Sequence, residues 1–289
     1  LTAGIAAALI DGLLTGAVYA LVAVGFALIY DVLRVPNLAH GALVALAMLF
    51  AWGLAATFGI NAYASLPLTT LVLFATGYAL HAWVIQPVSR GRKGAAVLVT
   101  GGIAGVLELL VVVVAGTPRA PYAVASVMIG SVPVGVARLA GAAGAALVGG
   151  MLFVFLTRTD TGRSIRAVAR EPVAACLVGI RPARMRALAY GVGSACVGAA
   201  GCLLLPGGAV GPQTGPLLLL VSLGAAAVGG MGNLRGAIVG GLVVGVAERL
   251  GAVLLGQSGG VLAIVAVLLA ALLLRAPLAF MGRRAGANA

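Results

Sequence analysis

The sequence predicts an all-α, polytopic helical membrane protein with about eight or nine transmembrane segments, some of them broken or re-entrant. Three observations predict it. Hydrophobic residues make up 62% of the 289-residue chain and charged residues only 8%, against about 25% charged in a soluble domain. So little polar surface cannot coat a water-soluble body, which excludes a soluble enzyme. The apolar runs are long and continuous rather than alternating every second residue, which excludes a membrane β-barrel. The few charges are bunched between those runs, where loops would meet water.

With about 20 residues per crossing, apolar segments fall at 4–29, 40–58, 63–88, 95–116, 137–157, 186–206, 216–231, 236–256 and 260–275. The segment 216–231 is short for a crossing. Residues 31–40 (DVLRVPNLAH) read as a broken or re-entrant piece rather than a plain loop. Gly12 and Gly16 form a GxxxG pair in the first segment, a face for close helix packing. NLAHGALVALAM (37–48) is weakly echoed by NLRGAIVGGLVV (233–244). Related halves with interrupted helices point to a transporter's binding site, although Gly and Ala are abundant enough here to produce such an echo by chance. The first apolar run is span-length and lacks a basic leader, which argues against a cleavable signal peptide. The chain begins at Leu, so a few N-terminal residues are expected to precede it.

Lys and Arg total 18 against 6 Asp and Glu, a net charge of +12, and all but one of the basic residues are Arg. In a soluble protein this would suggest nucleic acid. Here basic loops facing the cytoplasm and its anionic lipid account for it, and no nucleic-acid partner is expected. Arg90, Arg92 and Lys93 share one loop, seven Arg (158, 163, 166, 170, 181, 184 and 186) share another, and Arg283 and Arg284 lie in the tail. Nine crossings put all of these on one side with Arg34, Arg235 and Arg275, leaving Arg119 and Arg138 opposite. The crowded side is cytoplasmic by the positive-inside rule.

No catalytic constellation stands out. His40 and His81 have no partner at a metal-ligand spacing, and without a Walker A motif the chain does not itself hydrolyse ATP. Cys196 and Cys202 share a predicted helix with a rise of about 9 Å between them, too far for a disulfide. Cys176 sits alone in a basic loop.

Two features carry chemistry. In residues 158–186, Gly162 permits a sharp exit from the preceding helix. Arg163, Arg166 and Arg170 then share an arc of about 60° at helical pitch, with Ile165 and Val168 opposite. Pro172 suits the first turn of a second short helix and Gly179 its C-terminal cap. A loop that only fixed topology would need charge, not caps and an apolar face, so a docking element for a cytoplasmic partner is expected. The second feature is polar groups at membrane depth: Glu108, Glu248 and Asp11 within spans, and Asn37, His40 and Asn233 beside the helix breaks. An ionisable residue inside the membrane marks a pathway or relay, or an acid held by hydrogen bonds inside the bundle.

These residues bear a family likeness. The chain resembles the permeases of branched-chain amino-acid ABC importers over roughly residues 10–282. GLLTGAVYALVAVGFALIYDVLRVPNLAHG (12–41) is similar to that family's Gly-x-x-x-Gly-x-x-Tyr-Ala-Leu opening and its Asn-Phe-Ala-His-Gly signature, matched by Asn37, Ala39, His40 and Gly41 with Leu38 in place of Phe. GRSIRAVAREPVAACLVGI (162–180) resembles the cytoplasmic coupling segment, with Glu171 where Asp or Asn is usual. GGMGNLRGAIVGGLVVGVAE (229–248) looks like the Gly-rich segment before a family acid, here Glu248. LLLRAPLAFMG resembles the closing pattern, with its Pro shifted and a Gly lost.

The resemblance implies a single permease domain over 1–289 with a cytoplasmic coupling loop at 158–186, in the cell (inner) membrane of a prokaryote. It implies a second, related permease subunit, two cytoplasmic ATPase subunits that hold ATP and Mg, and an extracytoplasmic solute-binding protein. No cofactor is expected in this chain. The ATPase-coupling residues would be Gly162, Arg163, Arg166, Arg170, Glu171, Pro172 and Gly179. The substrate pathway would draw on Asn37, His40, Glu108, Asn233 and Glu248, with helix ends near Asn37 and Asn233 offering dipoles to a zwitterion. Related permeases carry aliphatic amino acids, amides or urea, so specificity rests largely with the binding protein. An ion-coupled secondary transporter or channel, working through Glu108 and Glu248 without ATPases, is the alternative. A structural membrane subunit with no flux is a third reading.

Overall fold

The structure is a computed structural model that describes residues 2–89, 92–116, 126–129 and 132–285. Arg90 and Arg119 of the basic set lie outside the described residues, as do the side chains of Arg275, Arg283 and Arg284. Eleven helices follow in order: α1 (Thr2–Leu33), α2 (His40–Phe58), α3 (Leu66–Ser89), α4 (Lys93–Ala115), α5 (Val136–Arg158), α6 (Asp160–Arg170), α7 (Pro172–Leu177), α8 (Pro182–Leu204), α9 (Thr214–Gly229), α10 (Leu234–Leu255) and α11 (Gln257–Ala285). Among the described residues, seven helices are long and apolar enough to cross a membrane, and two shorter apolar helices, Thr214–Gly229 and Ser258–Leu274, join them. Together they fall on the nine predicted segments.

α1 is the central post of the bundle. It packs on α5, α8, α9 and α10, and Val22, Ala23, Phe26, Ala27 and Ile29 on it are fully buried. Its tightest partner is α10. A Cβ added to Gly16 would lie 2.9 Å from Leu242 Cα, and one on Gly12 would lie 2.7 Å from Val246 Cα. Gly241 and Gly245 return the contact against Ala20 and Gly16. Two GxxxG pairs therefore face each other backbone to backbone, the arrangement that small residues allow in lipid. At the rim of the bundle, α4 turns Leu98, Val106 and Val113 outward, the apolar surface that hydrocarbon requires.

Three elements differ from the sequence-based expectation. α3 passes through a π-helical stretch, Leu80–Ile85, just before Pro87. π turns mark places where a helix adjusts its register locally. A small antiparallel hairpin, Ser126–Ile129 with Val132–Gly135, sits between α4 and α5; strands this short leave no length for an alternation signal. α8 begins at Pro182, so Arg184 and Arg186 belong to its first turns rather than to the preceding loop. Proline suits a helix's opening turn because it gives up an N–H that has no partner there.

The packing makes one firm prediction. Gly16→Val drives a branched side chain into Leu242 backbone that cannot rotate away, a cost of about 3 kcal/mol or more. The detergent-purified variant is expected to melt well below wild type or fail to accumulate. Gly53→Ala, where an added Cβ meets nothing within 4 Å, is expected to melt at or slightly above the wild-type temperature.

Candidate functional site

Functional groups gather at both ends of the bundle, and α5 separates the two ends: Arg138 lies near its start, while α6 hangs from its other end.

At the α6 end, Thr159 leaves helical geometry and caps α6, its Oγ1 accepting from Gly162 N at 3.0 Å. The sharp exit is therefore at Thr159. Gly162 lies where α6 presses on the end of α5, and an added Cβ there would run into Phe155 O and Leu156. α6 buries Ile165, Val168 and Ala169 and turns Arg163, Arg166 and Arg170 outward. Arg163 pairs with Asp160 at 2.8 Å across exposed surface. Glu171 sits at the N-cap of α7 without a side-chain capping bond, and Pro172 opens that helix. Gly179 follows it at φ +83°, a left-handed cap in which Gly179 N and Ile180 N bond back to Cys176 O and Ala175 O. On this six-residue helix and its cap, Val173, Leu177 and Val178 are 72%, 85% and 76% exposed. These three were not singled out from the sequence, although Val173 and Leu177 stand at i,i+4.

Beside α6 runs the broken segment between α1 and α2. Arg34 ends α1 with φ +56°, a conformation that costs a side-chain-bearing residue about 1–2 kcal/mol. Its guanidinium donates to Ala169 O at 3.0 Å and lies 3.3 Å from Asp31 Oδ1. Residues 34–39 then run back into the bundle. His40 Nε2 lies 2.9 Å from Val22 O, eleven residues up α1, or about 16 Å from its Leu33 end. His40 is fully buried and meets Phe26 edge-on at 5.4 Å. Asn37 Oδ1 accepts from Ala39 N at 3.1 Å. A cavity of about 250 Å³ opens here, carrying Arg34, Arg92, Lys93 and Arg186 with Asn37, His81 and Tyr190.

At the opposite end, a cavity of about 270 Å³ lies among α1, α2, α5, α8, α9 and α10. Leu14, Val18, Met48, Leu203, Leu217 and Leu218 form its apolar wall, and Thr15, Tyr19, Arg138, Gln213, Glu248 and Arg249 its polar one. Arg138 pairs with Asp11, and Tyr19 and Glu248 line the same cavity. Tyr63 braces the rim by donating to Ala137 O at 3.2 Å; burial pushes its phenol above the ordinary range.

Of the five pathway candidates, Asn37 and Glu248 line cavities at opposite ends of the bundle. His40 lines neither and tethers α2 to α1. Glu108 is half-buried on α4 and packs on Gly215 near the start of α9. Asn233 caps α10, its Oδ1 accepting from Gly236 N at 3.2 Å. Both asparagines of the internal echo thus stand at helix starts, one deep and one at the surface. Tyr19, Arg138 and Arg249 escaped sequence reasoning, because only the fold joins them to Glu248. Among the described residues no group of three His, Cys, Asp or Glu side chains forms a metal site.

Residues 8–277 match the family model described as branched-chain amino acid transport system / permease component. The chain is 27% identical over 294 residues, 95% of each chain, to the high-affinity branched-chain amino acid transport system permease protein BraD of Pseudomonas aeruginosa. It is 26% identical to LivH of Escherichia coli, a permease protein of the same description, over 83% of each chain. A probable branched-chain amino acid transport permease protein LivH of Methanocaldococcus jannaschii is 27% identical over 80% of this chain and 76% of its own. A solved structure, PsaBC from Streptococcus pneumoniae in complex with Fab, aligns at a TM-score of 0.49 and 14% identity over 91% of this chain and 90% of that one.

Arg34 gives this site a thermodynamic signature. Arg34→Ala keeps the left-handed strain and loses the bond to Ala169, and is expected to destabilise by about 1 kcal/mol. Arg34→Gly loses the same bond but relieves the strain, and is expected to be nearly neutral. Melting curves of the two variants in detergent check the order.

Proposed function

The chain belongs to the family of permease components of branched-chain amino acid transport systems, and from that premise we propose that it is the membrane-spanning subunit of an ATP-driven importer, moving branched-chain or related small amino acids into a prokaryotic cell. It is a multi-pass membrane protein and a transport component rather than the ATPase. Its partners are two cytoplasmic ATPase subunits holding ATP and Mg, a second related permease and an extracytoplasmic binding protein.

The observation that carries this reading is the surface of α6 and α7. Val173, Leu177 and Val178 are exposed on an element outside the candidate spans, a cluster of large apolar side chains that directly follows the helix bearing Arg163, Arg166 and Arg170. Exposed apolar surface rimmed by charge marks a protein-binding site. A topology-only loop would have no reason to bear it. On this reading the ATPase docks on α7 and the arginine face of α6, with Glu171, Pro172 and Gly179 setting the angle between the two helices. Its movement on binding ATP reaches the broken segment through the Arg34–Ala169 bond. Asn37 then sits on the inner vestibule through which substrate leaves, and Glu108 supports the start of α9 beside the path.

Orientation is testable on the wild-type protein. Cys176 on α7 is exposed, whereas Cys196 and Cys202 are buried. A membrane-impermeant maleimide is expected to label Cys176 in inside-out vesicles stripped of the ATPases and not in intact cells; labelling of intact cells reverses the topology.

Docking is testable by substitution. Leu177→Asp places a charge where an apolar contact is expected. Arg166→Glu with Arg170→Glu reverses the basic face, at a local helix cost of a few tenths of a kcal/mol against several kcal/mol at an interface. Both variants are expected to reach wild-type abundance in the membrane, lose co-purification of the ATPases and lose amino-acid uptake. Retention of ATPases and of uptake at the wild-type rate in both would defeat the docking assignment.

A further inference from the structure

The cavity at the end of the bundle away from α6 has a charge arrangement that the docking reading leaves unused. Two carboxylates, Asp11 and Glu248, and two guanidiniums, Arg138 and Arg249, stand in or beside it, so their formal charges cancel. Asp11 and Arg138 pair with each other. Glu248 and Arg249 are consecutive residues of α10 that both line the cavity. Glu248 Oε2 and Arg249 Nε are buried without a hydrogen-bond partner among the described residues. Charges removed from water at this depth are costly unless each is matched.

An anionic acceptor and a cationic donor thus share one small space, about 270 Å³, whose lining also includes Val18, Leu203, Leu217 and Leu218. That volume lies just below the usual range of ligand pockets, about 300 Å³ and upward. A simple cation would satisfy only Glu248, and an anion only Arg249. A molecule that satisfies both carries an ammonium and a carboxylate a few bonds apart, and the leucine-rich wall asks for an aliphatic group beside them.

We propose that this cavity is a binding station within the permease for an aliphatic α-amino acid in its zwitterionic form, with Glu248 receiving the ammonium, Arg249 the carboxylate and the Leu203–Leu217–Leu218 wall the side chain. Tyr19 adds a hydroxyl to the same lining, and the Asp11–Arg138 pair stands beside it without adding net charge. This assignment rests on the import reading above and deepens it. The permease itself then tests both charged ends of its substrate, after the binding protein has released it.

The test uses the assembled complex of permeases and ATPases in lipid nanodiscs, without the binding protein, and measures equilibrium binding of radiolabelled L-leucine. Competition by 3-methylbutylamine, which lacks the carboxylate, and by 4-methylpentanoate, which lacks the amine, reads the two ends separately and needs no variant. Each analogue is expected to compete about tenfold or more weakly than leucine, the size of effect that one lost charge-assisted hydrogen bond produces. Glu248→Gln is expected to weaken leucine binding to a similar degree and to lose the discrimination against 4-methylpentanoate. Arg249→Gln is expected to lose the discrimination against 3-methylbutylamine. Analogues that compete as well as leucine overturn the proposal, as do two variants that bind leucine like wild type.

Uptake into proteoliposomes with the binding protein added separates the two claims. A wild-type complex that imports leucine but shows no leucine binding of its own removes the station and leaves the importer. A complex that binds leucine in this way but imports no amino acid keeps the station and removes the importer.

Discussion

A backbone that leaves a helix at membrane depth strands amide and carbonyl groups where no water can reach them, at several kcal/mol for each group left unpaired. Between Leu33 and His40 this chain does so, and much of the bundle is arranged around that break. Arg34 N bonds back to Tyr30 O, Pro36 has no N–H to satisfy, and Leu38 N reaches Thr100 Oγ1 on α4 at 3.4 Å. Ala39 N and His40 N are both taken up by Asn37, through its side chain and its own carbonyl. His40 then fixes the start of α2 against Val22 O on α1. The need for these partners explains why small polar residues lie in an otherwise hydrocarbon-like interior.

The break has a counterpart. α9 is only 16 residues long, about 24 Å of helix, short of the roughly 20 residues of a full crossing. Ahead of it Val210 and Gly211 are buried, while its N-cap Gln213 is exposed. Its first turn packs on Gly41 at the start of α2, so two helix N-termini meet within the protein. Helix N-termini carry partial positive charge, and Glu108 lies against Gly215 at that junction. Glu248 packs in a similar way on Gly260, in the first turn of α11, yet its Oε2 has no hydrogen-bond partner among the described residues.

What the sequence made legible follows from the range of each interaction. Spans are visible because hydropathy is a property of a window of neighbouring residues. The break at 31–40 shows because Pro36, Asn37 and His40 interrupt an apolar run. The two faces of α6 show because Arg163, Arg166 and Arg170 repeat at helical pitch. The grouping of Tyr19, Arg138 and Arg249 around Glu248 could not be read, since Asp11 and Arg138 alone are separated by 127 positions. The exposed Val173, Leu177 and Val178 were hidden for a different reason. In a chain that is 62% hydrophobic, three more apolar residues are no signal until the fold shows that they face outward.

The glycine contact between α1 and α10 also bears on how the two ends of the molecule communicate. With Gly12, Gly16, Gly241 and Gly245 in backbone contact, neither helix can slide past the other without atoms overlapping, so the pair moves as one body. One end of that body carries Asp31, with Arg34 tied to Ala169 on α6; the other carries Asp11, Thr15, Tyr19, Glu248 and Arg249 around the far cavity. The chain beyond Arg34 is non-helical and lacks the continuous hydrogen-bond ladder that stiffens either helix. A displacement of α6 is therefore divided between a soft element, residues 34–39, and a stiff one, the α1–α10 pair. The soft element would reshape the vestibule around Asn37, while the stiff pair would shift Tyr19 and Glu248 together relative to Arg138 on α5. On the import reading, one push at α6 would in this way reach both cavities without a relay of side chains between them.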